Sequence, residues 1–141
     1  MTDSARRILL GILLLGVIGV SVELLLLGHD EDVYQVIPLM LTAATLVMSG
    51  VVTWRPTVGT VRLFQAVMIL MAISGLVGMY LHFQVNIEFQ LEMDPSLSGA
   101  SLYRKAILAK TPPALAPGTM MQLGLIGLAY TFRHPATARA G

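Results

Sequence analysis

Six polar side chains could perform chemistry in this chain: Glu23, His29, His82, Asn86, Glu88 and Glu92. Imidazole and carboxylate groups together suit a divalent metal such as zinc, iron or manganese, and they can also carry protons. His82 and Asn86 are four residues apart, as are Glu88 and Glu92, but neither spacing is diagnostic of a metal. The pattern predicts a candidate metal or proton site at a membrane rim, beside the simpler interpretation of a solvated acidic rim.

Glu23 is the strongest candidate of this set, because it interrupts an apolar run over residues 8–27. An ionisable residue inside a membrane span is costly and is a functional candidate. The alternative is that Glu23 lies about 6 Å below the end of the span, near enough to reach water. His29 and His82 follow the first and third apolar runs, so we expect them at the same membrane depth as each other.

Other chemistry has little support in the sequence. The absence of cysteine excludes disulfides, thiolate metal sites and covalently attached haem. A haem held by two histidines is disfavoured, because His29 and His82 flank apolar runs and do not lie within them. No phosphate-binding glycine loop, nucleophile elbow or paired-histidine zinc motif occurs, and nothing favours nucleic-acid binding. We therefore expect no cofactor, with a divalent metal as the alternative.

The composition places the chain in a membrane, because 55% of its 141 residues are hydrophobic and only 12% are charged. Apolar runs of about 20 residues match a hydrocarbon layer of about 30 Å. The sequence predicts an all-α integral membrane protein with a single domain, 1–141, built as a four-helix transmembrane bundle. The predicted spans cover residues 8–27, 33–54, 61–81 and 114–132, and an outer cap covers 82–113.

Small residues at helical spacing predict where these helices pack closely. Ser74 and Gly78 are four apart in the third span, and Gly124 and Gly127 are three apart in the fourth. Small side chains let helix backbones approach each other in lipid, where packing drives association. We expect these four residues to lie at helix–helix contacts.

The distribution of basic residues predicts the orientation. Six of them flank one side of the predicted membrane, and three flank the other. Basic residues accumulate on the cytoplasmic side of membrane proteins. Both termini are therefore predicted to be cytoplasmic, in a cell inner membrane, with the cap facing outward.

The cap divides into two parts. Residues 82–93 alternate polar and apolar side chains, and this period of two favours a short extended segment over a helix. A lone strand is unstable, so the segment would need the bilayer surface or a partner chain, or would be helical after all because the span before it is. Residues 98–110 carry apolar groups at helical spacing, which predicts an amphipathic interfacial helix.

These observations favour a non-catalytic accessory or partner-binding component of a membrane complex. The chain lacks catalytic motifs, and its cap contains a segment that would need a partner. The partner would be another membrane protein or a second copy of the chain, within the lipid bilayer. The alternative is a small membrane enzyme, or an ion- or proton-handling protein, that uses the rim residues.

Overall fold

The computed structural model describes residues 1–28, 33–109 and 115–138. These residues form helices and turns, with no strand among them. The helices are α1 (Asp3–Leu26), α2 (Val33–Trp54), α3 (Val58–Met93), α4 (Gly99–Ile107), α5 (Leu115–Thr131) and α6 (Pro135–Ala138).

Among the described residues, α1, α2 and α3 are long and apolar enough to cross a membrane. This confirms the predicted membrane class and its transmembrane helices. Helix α2 covers the same residues, 33–54, as the second predicted span. Helix α5 has 17 residues and is not among the three, so the fourth span stays a prediction.

The helices pack in a ring, in which α1 contacts α2, α2 contacts α3, α3 contacts α5, and α5 contacts α1. Among the described residues, α1 and α3 do not pack directly against each other and occupy opposite corners. The core between the helices holds large side chains such as Leu13, Phe64, Met68 and Leu123. Helix α2 faces this core with small hydroxyl side chains, as helices in lipid often do.

Helix α5 passes very close to α3, and glycines make this approach feasible. A Cβ atom added at Gly124 would lie 2.6 Å from the Met68 carbonyl oxygen and 2.8 Å from the Ala72 nitrogen. A Cβ at Gly75 would lie 2.5 Å from the Pro117 carbonyl oxygen. The contacts pair low numbers in one helix with high numbers in the other, so α3 and α5 run antiparallel.

Arg6 joins the start of α1 to the end of α5. Its guanidinium donates hydrogen bonds to the carbonyl oxygens of Tyr130 (2.8 Å), Phe132 (3.1 Å) and Arg133 (2.7 Å). The last carbonyls of a helix have no partner within the helix, so these bonds satisfy groups that would otherwise be left unpaired. The start of α1 and the end of α5 therefore lie at the same end of the bundle.

The extended segment predicted over residues 82–93 is wrong, because α3 continues as a helix to Met93. Extending an existing helix adds one hydrogen bond for each residue fixed, whereas a lone strand has no partner for its backbone groups. Asp94 then ends the helix, with its amide donating to the Gln90 carbonyl oxygen at 3.0 Å. The second predicted element of the cap is helical, and α4 lies within its bounds of 98–110.

Candidate functional site

The end of α3 leaves the bundle as a projecting helix. A Cβ added at Gly78 would still meet Pro117 near the start of α5, at 3.1 Å. Residues 82–93 continue for about 18 Å at 1.5 Å per residue. We call this stretch the α3 extension. It has apolar side chains on every side, because a period of two does not match the helical repeat of 3.6 residues.

A tight turn sends the chain back beside the α3 extension. The Asp94 carboxylate accepts hydrogen bonds from the Ser96 hydroxyl (2.6 Å) and the Ser96 amide (3.1 Å). These two bonds, helped by the Lys105 ammonium 3.9 Å away, hold the pKa of Asp94 below its usual range. Gly99 has a φ of 57°, a left-handed conformation that glycine adopts without strain. The turn thus places the start of α4 against α3.

Helix α4 packs on the α3 extension through a short apolar and polar contact. Leu102 and Ala106 are buried, and the Asn86 side chain donates to the Ala106 carbonyl oxygen at 3.1 Å. The rings of Phe83 and Tyr103 stack with their centroids 6.1 Å apart. Asn86, predicted as a site residue, therefore holds α4 in place.

An open groove of about 1020 Å³ runs between the α3 extension and α4. We call it the cap groove. Val85 and Phe89 contribute apolar wall, and Leu108 closes the opposite side. The remaining lining residues are Asn86, Gln90, Ser101, Arg104, Lys105 and Ala109. None of these carries a negative charge, so the groove combines an apolar wall with two cations.

The structure does not bring all the predicted rim residues together. Glu23 is exposed on α1, whereas His82 is exposed on α3, at the opposite corner of the ring. Glu88 and Glu92 are exposed on the α3 extension, and neither lines the cap groove. His29 lies outside the described residues. Within the described part of the chain, no three His, Cys, Asp or Glu side chains are grouped to hold a metal ion.

Sequence reasoning used Arg104 and Lys105 to predict the orientation and the polar side of the helix over 98–110, but it did not predict that they line a groove beside the α3 extension. One signal was available in the spacing. Ser101, Arg104, Lys105 and Leu108 recur at intervals of three and four residues, which places them on one face of a helix. A cationic face with an apolar end is the usual composition of a helix at a membrane surface.

A second polar cluster lies at the opposite end of the bundle, around Arg6 and His134. His134 is buried, and its Nδ1 atom accepts a hydrogen bond from the Ala136 amide at 3.2 Å. Burial, together with the positive charge of Arg6, lowers the pKa of His134 below its usual value. A small cavity of about 260 Å³ opens beside these residues. The cluster thus places a buried imidazole beside the Arg6 guanidinium at this end of the bundle.

The buried His134 predicts a loss of stability in acid. Below about pH 6.5, the unfolded chain binds a proton at this imidazole and the folded chain does not. The stabilisation from the neutral imidazole should therefore be complete above that pH, and the free energy of unfolding should fall as the pH drops from there towards the lowered pKa of the folded protein. Replacing His134 by asparagine, whose oxygen can accept the Ala136 bond, should flatten this dependence. Detergent-based unfolding across this pH range measures both slopes, and equal slopes would contradict the prediction.

Comparison with known proteins adds no functional assignment: no family model matches the chain, and neither the curated proteins nor the solved structures contain a match.

Proposed function

We propose that this protein is a non-catalytic, partner-binding component of a membrane complex, anchored by four spans. The observation that carries the proposal is the α3 extension with α4, which presents apolar side chains beyond the bundle. Tyr103 and Ile107, each 53% exposed, lie on α4 outside the cap groove. We call this pair the α4 ridge. Met93 adds a third exposed apolar side chain at the tip of α3, 71% exposed.

The partner that suits this surface is another membrane protein. Exposed aromatic and aliphatic side chains on a projecting element are typical of the core of a protein interface. The α4 ridge begins beside the start of the α3 extension, where Tyr103 stacks on Phe83. A partner in the same membrane can therefore reach it without leaving the lipid. A second copy of the chain is the other partner to be tested.

We propose that α5 is the fourth membrane span. Its 17 residues measure about 26 Å, at the short end of what spans a bilayer. Its C-terminal end meets the start of α1 through Arg6, so α1 and α5 need to cross together. Six flanking basic residues against three favour cytoplasmic termini, an outward cap and a cell inner membrane.

A photoreactive amino acid at position 103 tests the partner contact in native membranes. We expect a single cross-linked protein of defined mass from Tyr103. Val47, an exposed residue of α2, is the matched control and should cross-link to lipid only. A product at twice the mass of the chain would identify a second copy as the partner. Cross-linking to lipid alone at position 103 would overturn the proposal.

Single cysteines test the proposed orientation, because the natural chain has none. Ser4 and Ser98 are exposed, and the Ser98 side chain makes no capping hydrogen bond. We expect a membrane-impermeant maleimide to label Ser98→Cys in intact cells and Ser4→Cys only after permeabilisation. The reverse pattern would invert the topology, and labelling of both in intact cells would contradict the cytoplasmic N-terminus.

A further inference from the structure

We infer that the cap groove binds the headgroup of an anionic phospholipid, with Arg104 and Lys105 holding the phosphate. The inference does not rest on the proposed partner contact, because Tyr103 and Ile107 of the α4 ridge do not line the groove. It rests on the charge of the groove, its apolar wall and its place along α3.

The charge of the groove is positive and largely uncompensated. Lys105 lies 3.9 Å from Asp94, which is a long and exposed ion pair of little strength. Among the described residues, Arg104 forms no ion pair. A guanidinium presents paired donors that match phosphate oxygens, and a neighbouring ammonium adds a second donor. Two cations, with no acid among the described residues of the wall, favour a ligand with net negative charge.

The apolar wall distinguishes a lipid from a soluble phosphate. Val85, Phe89 and Leu108 offer hydrocarbon surface beside the cations. A free phosphate or sugar phosphate would gain nothing from covering them. The glycerol backbone and the first carbons of an acyl chain would remove this surface from water. The groove therefore matches both parts of a phospholipid.

The depth of the groove agrees with this ligand. Val85 comes four residues, or about 6 Å of helix, after the end of the apolar run at Leu81. The polar headgroup layer on each side of a bilayer is about 5 to 8 Å thick. Val85, the first residue of α3 to line the groove, thus lies at the level of the headgroups, where a lipid can reach the groove sideways from the membrane.

Lipid retention in nanodiscs tests the inference. The purified protein is reconstituted in an equal mixture of phosphatidylglycerol and phosphatidylcholine, and the lipid that stays bound is identified by native mass spectrometry. We expect one phosphatidylglycerol to be retained in preference to phosphatidylcholine. The double variant R104Q/K105Q should lose this preference roughly tenfold or more. All the substituted side chains are exposed, so the bundle should still fold, as circular dichroism would verify.

The control is R7Q/R62Q, which removes the same charge from two exposed residues of the bundle and should leave retention unchanged. Equal retention of the two lipids, or equal losses in both double variants, would overturn the inference. Displacement of the lipid by soluble glycerol phosphate at matched concentration would overturn it in favour of a free phosphate. A photoreactive residue at Gln90 that cross-links to a protein would overturn it in favour of an acidic protein segment.

Failure of this inference and failure of the proposed function give different results. A groove without lipid selectivity would leave the cross-link at position 103 intact. Conversely, if the cross-link at position 103 is absent, the difference in lipid preference between R104Q/K105Q and R7Q/R62Q would still test the cap groove.

Discussion

Replacing Arg6 by glutamine should lower the free energy of unfolding by about 3 kcal/mol, since hydrogen bonds from a charged group contribute about 1.5 to 3 kcal/mol each and are not additive. The guanidinium binds three backbone carbonyls at the end of α5, and Arg6 is only 8% exposed. Glutamine is shorter and has a single amide group, so it cannot satisfy all three. Carbonyl groups at the negative end of a helix would then lose their partner, and the bond to the Tyr130 carbonyl is a buried one.

Arg7 provides the matched control, because it is the next residue, carries the same charge and is exposed. Unfolding in mild detergent with increasing denaturing detergent, followed by circular dichroism, should show Arg7→Gln close to the natural protein. Arg6→Lys should lie between the two, since lysine keeps the charge but has no fork of donors. If Arg6→Gln and Arg7→Gln are equally stable, the guanidinium does not hold the end of α5.

The same substitution should act on His134. Burial is the first cause of its lowered pKa and the charge of Arg6 is the second, so removing the charge should bring the pKa part of the way back. The loss of stability in acid should then be smaller in Arg6→Gln than in the natural protein. A steeper acid dependence in the variant would show that Arg6 does not raise the cost of charging His134.

The membrane class was predictable from the sequence, because the length of an apolar run is a direct measure of its fit to the bilayer. The helical conformation of residues 82–93 was not predictable in the same way. An alternating pattern indicates a strand only when one face is buried against something, and in the part of the chain that the structure describes no sheet covers one face of this segment. The α3 extension continues the helix of the preceding span, and α4 covers only part of it through Asn86, Leu102 and Ala106.

The candidate site shows a different limit of the sequence. Apolar runs tell how deep Glu23 and His82 lie, but not which way each side chain points around its helix or which helices are neighbours. The ring places α1 and α3 at opposite corners, so lying near the same surface of the membrane does not make these two residues neighbours. The burial of Arg6 was predictable in part, because Arg6 lies at helical spacing on the same face of α1 as Leu13 and Val17.

Replacing Gly124 by alanine should destabilise the protein by about 2 kcal/mol, in the range measured for overpacked cores. The added methyl group would lie 2.6 Å from the Met68 carbonyl oxygen and 2.9 Å from the Ala72 Cβ. Two of the three closest atoms, including the Ala72 nitrogen at 2.8 Å, belong to the α3 backbone, which cannot rotate away as a side chain can. The two helices would have to move apart along the contact.

Gly50 makes the comparison decisive. It also lies inside a helix, α2, but a methyl group there would meet no atom of the described residues within 4 Å. Alanine has the higher helix propensity, by up to about 1 kcal/mol, so propensity alone predicts that both substitutions stabilise. We expect Gly50→Ala to be neutral or stabilising and Gly124→Ala to be destabilising in the same unfolding experiment. Equal stability of Gly50→Ala and Gly124→Ala would show that α3 and α5 are not so close that only glycine fits at position 124.

The contact of Gly124 with α3 also allows a test of whether the structure of the cap depends on the packing of the bundle. The turn at Asp94 and the Asn86 bond that hold α4 are internal to the cap, whereas Pro117, which follows it, packs against Gly75 and Gly78. Gly124→Ala should therefore lower the stability of the bundle while phosphatidylglycerol retention by the folded protein stays unchanged. A parallel loss of stability and retention would show that the spacing of α3 and α5 sets the shape of the cap groove.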